Sequence, residues 1–176
     1  VRSSSTRLAT GPEIHYAEKG DAAGEPVVLL HGWPDSWFSY SRLLPLLPDG
    51  WRCIVPDQRG FGDSEASAHG YSMHDLAADV VALMDALSIR GATLVGHSMG
   101  SFVARQVAIA HPERVDRLVL IDSGWSTRDN AVLPEVEQSL RELSDPVPLE
   151  FAREFQPARS TNQYPKTSSR DCSQNP

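Results

Sequence analysis

The sequence predicts an α/β fold, a mostly parallel sheet with flanking helices, and three observations carry that prediction. The run Val27-Val28-Leu29-Leu30 is apolar without alternation, as expected of a strand covered on both faces. Leu76, Val80, Leu83, Met84 and Leu87 recur at the spacing of one helix face. Leu94-Val95-Gly96-His97-Ser98-Met99-Gly100 then carries a strand straight into Gly-x-Ser-x-Gly and an apolar helix, Ser101 to Ala110. Strands alternating with helices imply parallel neighbours with helices on both faces of the sheet.

In chain order, Ile14 to Glu18 and Pro26 to Leu30 read as strands separated by the turn-rich Lys19 to Glu25, which together look like an opening hairpin. His31-Gly32-Trp33-Pro34 follows, then a short helix from about Trp37 to Leu47 with Ser36 as its N-cap and Pro48-Asp49-Gly50 to end it. Arg52 to Val55 reads as the next strand, and Asp57 to Ser64, with glycines at 60 and 62, as an irregular charged loop. Ser72 with Asp75 three residues on is an acidic variant of the capping box, opening the helix whose apolar stripe is core. Thr93 to Gly96 is a strand, the helix after the elbow ends at His111-Pro112, and Arg117 to Ile121 reads as a further buried strand. Ala131 to Leu143, with Pro134 suited to a first helical turn, reads as an amphipathic helix, and Leu149, Phe151, Ala152 and Phe155 form a shorter apolar set. No Leu, Ile, Val, Met or Phe occurs after Phe155, so residues 157–176 are expected to be disordered or non-native.

The turn at Ser98 has a chemical consequence. A serine caught between strand and helix takes a strained backbone conformation, and the glycines at 96 and 100 remove Cβ atoms that would clash. Its hydroxyl is lifted clear of the sheet while the new helix aims unpaired N–H groups and its positive dipole end at the same point. An anion forming there is stabilised.

Composition narrows the partners. The 176 residues, 40% apolar with a formal charge of −7, fit one domain and show no basic cluster for nucleic acid or an anionic membrane. Small uncharged or apolar molecules are the expected substrates. Cys53 and Cys172 form neither a disulfide framework nor a metal-ligand spacing, and no glycine-rich phosphate loop appears, so no metal and no cofactor is implied. Val1 to Leu8 lacks an apolar leader and no stretch is long enough to span a membrane, which makes a cytoplasmic setting the expectation. Valine at position 1 reads as a start that is cut, processed or taken from an unusual codon.

Taken together, three motifs in order, His31 to Pro34, Asp57 to Ser64 and Gly96 to Gly100, resemble the α/β-hydrolase family over about Ile14 to Ile121. The resemblance implies a core over residues 1–124, part of a variable cap over 125–156, and nucleophilic acyl transfer or hydrolysis at Ser98. It assigns the oxyanion-binding N–H groups to Met99 and Trp33, allows a cis Trp33-Pro34 bond that turns the loop inward, and makes the Asp57 loop scaffold rather than chemistry. His-Gly-x-Pro also resembles epoxide hydrolases and some dehalogenases, whose elbow nucleophile is an aspartate; serine at 98 favours an ester, thioester, lactone or activated carbon–carbon substrate. Cofactor-free haloperoxidases are a further serine branch of the same resemblance.

The family order of nucleophile, acid, histidine is broken here. The single histidine after Ser98 is His111, about 18 Å away at the far end of a twelve-residue helix. His97 is expected to point away from Ser98 and His31 to pack the oxyanion loop, while His15, His69 and His74 have weaker claims. Asp122 matches a position where some members place the acid and many others leave an unused aspartate. The resemblance therefore implies a fold incomplete at its C-terminus, with Ser98 impaired for lack of a base. An unpaired sheet edge beside Ile121, open to self-association, is the structural expectation. A non-catalytic ligand-binding protein, or one completed by a second polypeptide, are the other readings.

Overall fold

Six strands make one sheet in the order β1-β2-β4-β3-β5-β6, seen in a computed structural model that describes residues 1–124 and Gln138. The cap region 125–156, its expected helix at Ala131 to Leu143, and the tail 157–176 otherwise lie outside the described residues. β1 (Arg2–Arg7) and β2 (Glu13–Lys19) are the antiparallel pair; β3 (Glu25–Leu30), β4 (Trp51–Pro56), β5 (Ala92–His97) and β6 (Val115–Ile121) run parallel, and β2 joins β4 antiparallel.

This corrects the opening hairpin. The turn after β2 does not pair it with β3; β4 lies between them, and the hairpin partner of β2 is the polar strand β1. β1 gives no apolar signal because it is an edge strand with five of its six residues exposed, joined to β2 by backbone pairing and by the ion pairs Arg2–Glu18 and Arg7–Glu13.

Connection handedness sets the layers. The chain steps from β3 to β4 in one direction, then back past β3 to β5 and on to β6. Right-handed crossovers must then place the first connection on one face and the next two on the other. The core shows that division. The helices α1 (Met73–Ala86) and α2 (Met99–Ala110) pack Leu76, Val80, Leu83, Met84, Val103 and Val107 against Val28, Leu30, Ile54 and Leu94. On the opposite face Tyr40 and Leu44 cover Val27, Leu29, Cys53 and Val55. Both described α-helices thus share a face, where helices on both were expected.

The cover on that second face is also shorter than expected. The segment from Trp37 to Leu47 makes two 3-10 turns, Trp37–Tyr40 and Leu44–Leu46, instead of one helix. Pro45 supplies no N–H for an α-helical bond and its ring opposes a continuous helix through that point. Ser36 caps the first turn as its sequence position suggests, its hydroxyl accepting from the Phe38 N–H at 3.3 Å. The capping box on α1 is complete: Ser72 and Asp75 each accept the other's backbone N–H.

β6 departs from its reading as a buried strand. Leu118, Val119, Leu120 and Ile121 are 39%, 43%, 40% and 41% exposed, because β6 ends the sheet among the described residues. No helix of the described residues is long and apolar enough to cross a membrane.

Candidate active site

The reversal of direction at β3 creates the site. β3 sends its connection to one face and its neighbour β5 to the other, leaving a crevice at their carboxyl ends, where α/β sheets bind ligands. The loop His31 to Pro34 leaves one side of this crevice and the elbow at Ser98 the other.

Ser98 takes φ 49° and ψ −115°, a strained conformation as expected of a serine between strand and helix, and is the N-cap of α2. Its N–H donates to the Ile121 carbonyl at 3.0 Å, so the end of β6 holds the elbow. Its carbonyl accepts from the Ser101 N–H at 2.9 Å and the Ser101 hydroxyl at 2.6 Å, which tightens the first turn of α2. Met99 is the first residue of α2, two before the expected start, so its N–H belongs to the set without an intrahelical carbonyl.

Glycines make this approach possible. A Cβ on Gly96 would collide with the Gly100 carbonyl, and one on Gly100 with the Leu30 carbonyl. A Cβ on Gly32 would stand 3.1 Å from Ser98 Cβ and 3.0 Å from His97 Nδ1. The two loops therefore touch at Gly32, which brings the sequence-selected Trp33, Ser98 and Met99 to one end of the sheet. The Trp33-Pro34 bond is cis, as the loop reading allowed.

Three of the histidines have definite places away from the Ser98 hydroxyl. His31 is fully buried; its Nδ1 lies 2.8 Å from the Gly32 carbonyl and its Nε2 accepts the Gln58 N–H at 3.0 Å. Both ring nitrogens are spent, so it packs the loop. His15 Nδ1 meets Asp57 Oδ2 at 2.8 Å on the far side of that loop. His111 caps the C-terminal end of α2, opposite Ser98, and lies 3.7 Å from Glu113. Asp122 is exposed at φ 50° just after β6. Among the described residues the Ser98 hydroxyl has no hydrogen-bond partner.

The Asp57 loop is a lock. The buried Asp57 carboxylate accepts from the Trp37 N–H at 2.6 Å, the Asp63 N–H at 3.0 Å and His15, while the Ser64 hydroxyl donates to its carbonyl at 2.6 Å. Donor atoms of His15, Asp57 and Asp63 lie within 4.8 Å of one another, but Asp57 already serves these bonds, so the cluster reads as scaffold. The neighbouring pair has no local signature: Arg59 Nε and Nη2 donate to the two Asp79 oxygens at 2.8 and 2.7 Å, with both side chains 8% exposed. Residues 20 apart on a loop and a helix carry no local motif for such a contact.

Burial, the largest cause, holds the His31 imidazole below its ordinary 6.5; the Gly32 carbonyl and the Asp57 and Asp35 carboxylates oppose it, and His97 adds to it. The folded chain then resists a proton that the unfolded chain accepts. Stability at this ring is complete above about 6.5, falls as the pH drops through that value, and levels off once the folded ring is itself protonated. Urea midpoints at about pH 5 and pH 7 should show the loss on the acid side, and His31→Asn should shrink the difference.

Comparison with known proteins places this arrangement. A family model described as alpha/beta hydrolase fold matches residues 25–173. A non-heme chloroperoxidase of Streptomyces lividans is 40% identical over 156 residues, covering 86% of this chain and 52% of that protein. A soluble epoxide hydrolase of Corynebacterium sp. (strain C12) is 36% identical over 115 residues, 65% of this chain and 40% of that one. Among solved structures, an epoxide hydrolase from Vigna radiata matches with a TM-score of 0.67 at 32% identity, covering 73% of this chain and 42% of that one. Epoxide hydrolase A from Mycobacterium thermoresistibile matches with a TM-score of 0.69 at 28% identity, covering 79% and 44%. The chain spans about half the length, or less, of these relatives.

Proposed function

Because the chain belongs to the alpha/beta hydrolase fold family, we propose that Ser98 is the nucleophile of a serine hydrolase acting on a small ester-like or other acyl substrate. The observation that carries this is the strained Ser98 at the N-terminus of α2, facing a loop that touches it at Gly32. The Ser98 oxygen bonds to the substrate carbonyl carbon, and its proton passes to a base. The carbonyl oxygen becomes an oxyanion held by the Met99 and Trp33 N–H groups. The bond to the alcohol then breaks, the alcohol leaves with a proton, and water hydrolyses the acyl-serine. No cofactor enters this scheme.

The base is the weak part of the site. All six histidines lie between His15 and His111; His31 and His15 are engaged, His111 is distant, and among the described residues none of the six bonds the Ser98 hydroxyl. The 176-residue chain is therefore proposed to be slow by itself, with the base supplied by further sequence or by a second polypeptide. Among the described residues β6 is the last strand of the sheet, and its edge is the surface proposed for such pairing, including pairing with a second copy.

Incubation with an activated aryl ester, read by intact-mass spectrometry, tests the reading. One acyl group should accumulate on the chain and none on Ser98→Ala; acylation that persists in the variant would reject it. The 40% identity to a non-heme chloroperoxidase favours a second reading, in which the same serine belongs to a haloperoxidase branch. Halide oxidation dependent on hydrogen peroxide and lost in Ser98→Ala would support that branch over simple hydrolysis.

A further inference from the structure

We propose that His31 is a positioning residue that aims the Trp33 N–H at Ser98 by pinning the peptide between Gly32 and Trp33; this rests on the oxyanion role proposed for Trp33. A peptide unit is planar, and in its trans form the C=O and the following N–H point in opposite directions. Fixing the Gly32 oxygen therefore fixes the direction of the Trp33 hydrogen.

Two donors fix that oxygen. His31 Nδ1 lies 2.8 Å from it, and the Asp35 N–H donates to it at 3.0 Å. The His31 bond requires the hydrogen to sit on Nδ1, and the Gln58 N–H enforces this by donating to Nε2 at 3.0 Å, which leaves that nitrogen no room for a proton. Gln58 also grips the same residue from its side chain, its amide nitrogen donating to the His31 carbonyl at 2.8 Å. That bond sets the amide orientation, with Oε1 left buried and unpaired, a cost of holding His31 at both ends. Phe61 stands edge-on to the ring at 5.4 Å, so imidazole rotation is blocked as well.

The chain of contacts runs from the Asp57 loop to the elbow. Asp57 fixes the loop, Gln58 fixes the tautomer of His31, His31 fixes the Gly32 carbonyl, and the Trp33 N–H follows. With both nitrogens engaged, the ring behaves as a rigid strut between two motifs that lie 27 residues apart.

Asparagine and glutamine separate the two nitrogens. Asn at 31 can place its amide N–H near the Nδ1 position, and Gln can place its amide oxygen near Nε2 without reaching the Gly32 carbonyl. His31→Asn should retain the wild-type Trp33 amide resonance and phosphonylation of Ser98 by a fluorophosphonate within about threefold. His31→Gln should shift that resonance and slow the phosphonylation by about a hundredfold, the usual scale for one lost oxyanion donor. Equal behaviour of the two variants in the amide resonance would overturn the proposal, since a space-filling role predicts it. If neither variant folds, nitrogen NMR of the unaltered chain decides: a proton on Nδ1 supports the proposal and a proton on Nε2 overturns it. Absence of phosphonylation in the unaltered chain would count against Ser98 as the nucleophile, and the amide resonances would still decide the role of His31.

Discussion

Gly100→Ala is expected to disrupt the elbow and cost about 3 kcal/mol or more, although the substitution lies in a helix where alanine is normally favoured over glycine by about 1 kcal/mol. Sterics decide the sign. The new Cβ would overlap the Leu30 carbonyl oxygen and stand 2.6 Å from the Leu30 carbonyl carbon and 2.7 Å from the His31 oxygen. All three are backbone atoms of the strand end that launches the His31 to Pro34 loop, so relief requires α2 and β3 to separate. A thermal midpoint lower by roughly 10 °C is expected. Gly50→Ala is the control, since a Cβ there meets nothing within 4 Å and should change stability by less than about 0.5 kcal/mol. Equal stability of the two variants would show that the loop and elbow are not in the described contact.

Asp79→Ala is expected to cost about 3–5 kcal/mol, because it leaves the Arg59 guanidinium buried without its carboxylate. Asp79 accepts from Arg59 at 2.8 and 2.7 Å and from the Thr10 hydroxyl at 2.5 Å, and after its removal Arg59 keeps, among the described residues, the His69 carbonyl at 3.3 Å. The pairing holds the arginine charged: its hydrogen bond to Asp79 raises its pKa, against the opposing effect of burial. Removing both partners is a different experiment. Arg59→Met with Asp79→Leu should recover most of the loss, since a buried pair is dear to break and cheap to replace. Urea unfolding of the two singles and the double gives the coupling directly, and near-additive losses would contradict this account.

The elements that were legible in the sequence are those whose signal is local. Ser72 and Asp75 announce a helix start, Val27 to Leu30 a covered strand, and Gly96 to Gly100 a turn too tight for a side chain. Asp57 and its glycines were legible as a locked turn, because a carboxylate followed by Gly60 and Gly62 matches one, and a Cβ on Gly62 would collide with that carboxylate. What failed was order and context. Nothing in Lys19 to Glu25 says that β4 will insert between β2 and β3, and the apolar Leu118 to Ile121 reads as interior whether or not a further strand covers it. Arg2 to Arg7 pairs through its backbone and the charged ends of Arg2 and Arg7, and shows no apolar periodicity. The linkage of Gln58 to His31 and Gly32 depends on which ring nitrogen faces which backbone group, a fact that only three dimensions supply.

The central claim, that Ser98 is a nucleophile set in an elbow whose base this chain lacks, is tested most directly by fluorophosphonate labelling with and without added imidazole. The predicted result is slow modification confined to Ser98, absent in Ser98→Ala, and accelerated as imidazole replaces the missing base. Rapid labelling that imidazole does not change would place a working base within these 176 residues, and labelling that survives Ser98→Ala would remove Ser98 from the chemistry altogether.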